Sequence, residues 1–284
     1  MSDKFLSWEE AVTWLIAQPD KQDLVRDCYY DASSKQAVNR YWHSNEWNAI
    51  QNLLPTKSGR VLDLGAGRGI ASYALAKENW DVVALEPDPS NLVGSGAIRN
   101  IAQTELLPIE VIQEFGEHIP CQSNSFDLIF ARQVLHHAND LNALCAEMFR
   151  LLKPGGTFIA VRDHVISSDK DLAEFLEAHP LHQLYGGEHA YKSSQYLSAL
   201  RSAGFNVLKV LRSFDSVINY APYSRDSLRE ELKIRFRKLP LGSVVGKLFD
   251  IEVILDIFLV LLSRVDNRPG RLYSFVCTKP KSRA

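Results

Sequence analysis

The segment Val61-Leu62-Asp63-Leu64-Gly65-Ala66-Gly67-Arg68-Gly69 constrains this chain more than any other. Arg60–Leu64 reads as a short buried strand, three alternate glycines turn the backbone, and residues 70–78 follow as a helix. Glycine has no Cβ, so the turn is sharp and a ligand can approach the main chain closely. The start of the following helix offers N–H groups with no partner inside the helix. Such a unit commits the chain to an open α/β sheet, with its ligand at the C-terminal ends of the strands.

The rest of the chain repeats that alternation. Further strands are expected at residues 80–86, 110–113, 126–131, 157–162, 205–211 and 272–278. Helices are expected at 44–54, at 90–103 despite Gly94 and Gly96, at 142–152 and at 193–203. Strands separated by helices at this spacing imply a mostly parallel, seven-stranded sheet with right-handed crossovers and helices on both faces. Three divisions are expected: an N-terminal helical arm or lid at 1–58, a core at 59–214 with 271–284, and a helical insert at 215–270.

A glycine loop alone does not name its ligand, because nicotinamide-binding proteins use a similar one. Two details separate the cases. The spacing is G-x-G-x-G rather than G-x-G-x-x-G, and Asp63 sits in the strand just before the glycines, where an acid suits an ammonium-bearing ligand. Glu86, seventeen residues beyond Gly69, ends the second strand where it can accept both hydroxyls of a ribose.

Composition excludes several classes. The 284 residues are 46% hydrophobic and 23% charged, with a formal charge of −2, which argues against a general nucleic-acid binder. Cys28, Cys121, Cys145 and Cys277 form no C-x-x-C pair, so neither a disulfide framework nor a thiolate metal site is expected. The first residues do not read as a signal peptide. The most apolar run, residues 251–262, is short for a membrane span and carries Glu252 and Asp256. A cytoplasmic protein is the expectation.

Three segments, in order, carry a resemblance: Val61–Gly69 with Glu86; Ser125-Phe126-Asp127-Leu128-Ile129-Phe130 with Val134-Leu135-His136-His137; and Leu151-Leu152-Lys153-Pro154-Gly155-Gly156. The chain resembles class I S-adenosylmethionine-dependent methyltransferases of the methyltransferase-11 type, whose fold is a Rossmann-like α/β sheet. The resemblance spans about residues 58–162, with the last two strands completing it. It implies S-adenosylmethionine as cofactor and S-adenosylhomocysteine as product. By matching position it implies that Asp63, Gly65, Ala66, Gly67 and Gly69 hold the methionine end and that Glu86 takes the ribose. Pro87 or Asp88, Phe115 and Gly116 would flank the adenine, and Ala131 and Arg132 would line the sulfonium side. The family often has Asp followed by Ala where this chain has Phe115 and Gly116, so the adenine contact differs here.

Methyl transfer mainly requires positioning, but a hydroxyl acceptor also needs a base. Candidates fall at strand ends: His137 after the fourth, Asp163 and His164 after the fifth. His182 lies in a polar stretch, residues 179–191, which holds three of the eight histidines and has Gly186 and Gly187 as a hinge. His179, His182 and His189 show no standard ligand spacing, and no metal is expected there. Residues 162–191 are also similar to methyltransferases of bacterial surface-polysaccharide synthesis, which implies O-methylation of a sugar or glycan. The alternatives are a C- or N-methyltransferase of an apolar, lipid-like acceptor and a cofactor-binding scaffold without catalysis. The basic stretch 225–238 reads as a solvated helix face, or as a surface for phosphate or anionic lipid. The apolar stretch 244–262 reads as a buried cap helix, a homodimer face, or a peripheral membrane contact.

Overall fold

The computed structural model describes residues 5–31, 33–178, 180–186, 188–238 and 242–281. Its centre is an eight-stranded sheet. The strands are β1 (Arg60–Leu64), β2 (Asp81–Leu85), β3 (Ile109–Ile112), β4 (Phe126–Arg132), β5 (Leu152–Ile166), β6 (Tyr191–Lys192), β7 (Asn206–Leu211) and β8 (Arg271–Thr278). They run in the order β3-β2-β1-β4-β5-β8-β7, and two-residue β6 pairs with the end of β5. Strands β1 to β5 pair in parallel, whereas β8 lies antiparallel between β5 and β7. The seven expected strands are all present; β6 is the addition.

Both faces of the parallel strands are covered, and alternate residues feed alternate cores. Leu62, Leu64, Ile129 and Phe158 pack with Met148, Leu151 and Tyr196 from helices Leu141–Leu151 and Ser193–Ser202. Val61, Val82, Leu128 and Phe130 pack on the opposite face, with Tyr41, Trp47 and Tyr73. Tyr41 and Trp47 come from helices Ser34–Trp42 and Asn45–Gln51, so residues 34–51 help to build this core. The second of these helices is shorter than expected. Ser44 accepts from the Trp47 N–H and caps its start. The helix expected at 90–103 begins only at Ser95, because Gly94 is extended.

The polar stretch after β5 is more regular than its sequence suggests. It folds into helices Asp169–Ala178 and Pro180–Tyr185 before β6. The first helix of the chain, Trp8–Ile16, packs through Ala11, Val12 and Leu15 against Leu181 and Val93, and the Leu6 N–H bonds the Leu184 carbonyl. Arm and lid therefore form one cover.

The insert holds helices Arg225–Phe236, Gly242–Leu248 and Glu252–Val265 around its own small core of Leu228, Leu232, Phe249, Leu255 and Leu259. The stretch expected as one apolar helix is thus two. Three of its basic residues are paired internally: Arg225 with Glu252 and Asp256, Arg229 with Asp226 and Glu252, Lys233 with Glu230 and Asp250. The last helix is buried on one side only. Val253, Ile257, Val260, Leu261 and Val265 remain exposed. Among the described residues no helix is long and apolar enough to cross a membrane.

Candidate functional site

The glycine loop has the geometry that its sequence demands. Gly65, Gly67 and Gly69 have φ of 60°, 54° and 85°. At Gly65 a Cβ would stand 2.8 Å from the Val134 side chain, so the loop also lies tight against the segment after β4. Ala66 is buried beneath it, and its N–H bonds the Leu85 carbonyl. Asp63 is 1% exposed and accepts from the Ser72 hydroxyl at 2.5 Å. Burial pushes its carboxyl up to about 7, against the Ser72 hydrogen bond and with some help from Glu86. Glu86 accepts from the Gly67 N–H at 2.7 Å and from the Asp88 N–H at 3.0 Å, one bond per oxygen. Burial raises its carboxyl as well, opposed by those two N–H groups.

Just past Glu86 along the chain lies an open cavity of about 650 Å³ between Pro87, Asp88, Phe115, Tyr185 of the lid and Ser7 of the arm. Phe115 is 67% exposed at its rim, so it is not a core residue. Gly116 is packed instead: a Cβ there would meet Leu144 at 2.7 Å and Leu64 at 3.1 Å.

Arg68, the variable residue between the last two glycines, has a role that the sequence did not signal. Its guanidinium is buried and donates to the carbonyls of Tyr29 and Asp31 and to the Ser34 hydroxyl. It ties the loop to the N-terminal helices. Arg132 turns the same way. It forms a two-pronged pair with Glu46 at 2.7 and 3.1 Å, between the rings of Tyr29 and Tyr41. The carboxylate holds that guanidinium above its ordinary range, outweighing burial. Ala131 is fully buried in register with Leu64 and Ala160.

The strand ends beyond Ala131 build a second constellation. Arg162 has φ of 62°, and the pairing of β5 with β8 slips between Ala160 and Asp163. Such a bulge re-aims the side chains that follow it. Asp163, fully buried, bonds His136 Nδ1 at 3.0 Å. His136 Nε2 faces Glu188 Oε1 at 3.0 Å. His164 packs edge-on to His136 with its Nδ1 2.7 Å from the Gly270 carbonyl. His182 Nε2 lies 3.9 Å from Glu188 Oε2. Burial alone would lower His136, but its hydrogen bonds to Asp163 and Glu188 prevail and hold it up at about 9. Glu188 is drawn down to about 2, against burial, by His136 and the neighbouring imidazoles. His164 falls to about 3 through burial and the adjacent His136 charge. Burial lowers His182 too.

Three of these five residues, Asp163, His164 and His182, are expected candidates, and the structure brings them together with His136 and Glu188. His136, not His137, points inward: the short turn Leu135–His137 leaves the His136 side chain 1% and the His137 side chain 40% exposed. Glu188 was not singled out, and its only sequence signal was its place among the lid histidines. His179 and Gly187 lie outside the described residues. His189 is exposed and stacks on Tyr191.

Residues 62–160 match the family model described as a methyltransferase domain. The chain carries a class I S-adenosylmethionine-dependent methyltransferase domain. S-adenosylmethionine is the cofactor of that domain type. An uncharacterized methyltransferase of Mycobacterium tuberculosis is 33% identical over 131 residues, 45% of this chain and 51% of that protein. Phosphoethanolamine N-methyltransferase 1 of Arabidopsis thaliana is 32% identical over 163 residues, 57% of this chain and 31% of the relative. The chain therefore spans about half the length of the first of these relatives and under a third of the second. The crystal structure of the [4+2]-cyclase SpnF superposes with a TM-score of 0.57 at 19% identity, covering 89% of this chain and 84% of that one. A cyclase shares the architecture of this methyltransferase domain, so the fold by itself does not decide the chemistry.

Proposed function

We propose that this chain is a methyltransferase that moves the methyl group of S-adenosylmethionine onto a hydroxyl of a polar acceptor, such as a sugar or glycan unit, held beneath the lid. The observation that carries this reading is the polar constellation of His136, Asp163, His164, His182 and Glu188. It sits two residues along the chain from Val134, which touches the cofactor loop. An apolar acceptor would offer these polar groups no hydrogen bonds.

In this reading Asp63 and the loop Gly65–Gly69 receive the methionine end, and Glu86 receives the ribose hydroxyls on the lone pairs that its two N–H donors leave. The adenine lies in the cavity between Pro87 and Phe115, with Gly116 bringing the backbone close. Ala131 lines the sulfonium side, and Arg132 acts there by anchoring the strand end to Glu46. Asp163 positions His136. The proton acceptor comes from the imidazoles around the acceptor, His164, His182 or the more exposed His137.

The exposed apolar stripe of helix Glu252–Val265 favours a second reading, a lipid-like acceptor methylated on carbon or nitrogen. One assay separates the two. Purified protein and methyl-labelled S-adenosylmethionine are incubated with sugars, nucleotide sugars, short glycans, quinols and phospholipid headgroup amines, and S-adenosylhomocysteine is quantified. Label entering a sugar hydroxyl supports the first reading. Turnover confined to quinols or amines overturns it in favour of the second. Failure to bind S-adenosylmethionine by folded protein overturns both.

A further inference from the structure

We propose that His136, His164 and Glu188 form a binding site for a divalent transition-metal ion, with His182 as a fourth ligand within reach. The inference concerns the constellation just described; an ion held by His164 and His182 would leave His137 as the proton acceptor for a hydroxyl.

Each imidazole is anchored on its far side. His164 Nδ1 is 2.7 Å from the Gly270 carbonyl, and His182 Nδ1 is 3.2 Å from the Phe175 carbonyl. A carbonyl only accepts, so in both rings Nδ1 carries the hydrogen and Nε2 keeps its lone pair when the ring is neutral. His136 Nδ1 is held in the same way by the Asp163 carboxylate at 3.0 Å. Three histidines thus have one nitrogen fixed by an oxygen acceptor. Metal-binding histidines almost always show that support, because it orients the ring and raises its basicity.

The near sides converge. One ligand atom each from His136, His164 and Glu188 lie within 4.8 Å of one another, and His182 Nε2 is 3.9 Å from the second Glu188 oxygen. Ligands at ~2.0–2.2 Å from a tetrahedral ion stand roughly 3.3 Å apart, so closure needs side-chain movements of about an ångström. His136 Nε2 and Glu188 Oε1, 3.0 Å apart, already lie close to that spacing. Their side chains are 1% and 6% exposed, so little water competes. Imidazoles with one carboxylate and no thiolate suit zinc, manganese, iron, cobalt or nickel in the divalent state rather than magnesium or calcium.

The ligands also belong to three separate elements: the turn after β4, the end of β5, and the lid. An ion would therefore fasten the lid to the sheet. A purely hydrogen-bonded network accounts for His136 between its two carboxylates. The hydrogen bond of the His164 ring is at Nδ1, to the Gly270 carbonyl, and the network gives its Nε2 no role.

The test uses untagged, chelator-treated full-length protein, dialysed against zinc ion, with cobalt(II) as the optical probe. About one equivalent should be retained, with visible cobalt absorption of an N/O site. It should be lost in Glu188→Gln and in His164→Ala, and retained in His189→Ala. Asp163→Asn should weaken it by ~10–100-fold while leaving the ligands in place. Metal should also slow proteolysis within residues 167–190 in wild type and not in Glu188→Gln. Circular dichroism of the metal-free variants confirms that they are folded. If wild type retains no more ion than folded Glu188→Gln, or if His189→Ala loses as much as Glu188→Gln does, the site does not exist. S-adenosylmethionine titration of the same samples reads the cofactor site separately, so failure of one proposal leaves the other standing.

Discussion

At the residue scale, the fold satisfies differently the two acids proposed to hold the cofactor, Glu86 and Asp63. Glu86 already accepts two backbone N–H groups, one on each oxygen. Hydrogen bonds to a charged group are worth ~1.5–3 kcal/mol. Glu86→Ala should therefore weaken S-adenosylmethionine binding by roughly 10–150-fold in calorimetry. An unchanged affinity would remove Glu86 from the ribose role. Asp63 is a different case, because burial has raised it from 3.8 to about 7. The folded chain holds this proton more tightly than the unfolded chain. Its stabilising contribution is therefore fully present below about pH 4 and is lost as pH rises through 7. Asp63→Asn imitates the protonated form. Without cofactor, it should gain stability over wild type in urea melts as pH rises from 5 to 8. A ligand ammonium draws Asp63 into its ionised form, so the same variant should bind S-adenosylmethionine more weakly at pH 8. A stability difference that does not change with pH would mean that Asp63 is not so perturbed.

At the element scale, the glycine loop, β2 and its terminal acid were legible because each depends on neighbours in sequence. A positive φ selects glycine, and a buried parallel strand selects a continuous apolar run. The insert was legible only as apolar. Which side of its last helix is covered depends on Leu228, Leu232 and Phe249, which are distant in sequence. Leu259→Ala, in that core, should cost ~2–5 kcal/mol in denaturant melts. Ile257→Ala, on the open side, should stay within about 0.5 kcal/mol. Equal effects would mean that the open stripe is covered in solution. No helix was expected in the lid, whose two helices, of 10 and 6 residues, are short. Arg68 is the converse case. A variable position in a motif became a strut to residues 29–34, and Arg68→Lys, which cannot reach all three acceptors, should expose that segment to limited proteolysis. Proteolysis at the wild-type rate would show that the strut is dispensable.

At the scale of the whole molecule, one buried acid joins the N-terminal helices to the sheet. Glu46 is 2% exposed, pairs with Arg132 and lies 3.9 Å from Arg162. Arg162 is otherwise held by the carbonyls of Ile218 and Ala221 at the root of the insert. Glu46→Gln leaves buried guanidinium charge without its counter-ion and should cost ~3–5 kcal/mol. Adding Arg132→Met should recover much of that loss, because both charges are then gone. A double variant as unstable as the sum of its parts would contradict the pairing. The sequence by itself determined what local rules can reach: the order of strands and helices, the glycine loop with Asp63 and Glu86, the family resemblance, and the enrichment of histidine near the lid. Only the tertiary structure decided that His136 rather than His137 turns inward, that Glu188 closes on it, and that Glu46 clasps Arg132. Those choices depend on a bulge at Arg162, a short turn after β4, and pairings across dozens of residues. Burial energy selects among such pairings once the chain has folded, and no spacing along the sequence encodes them.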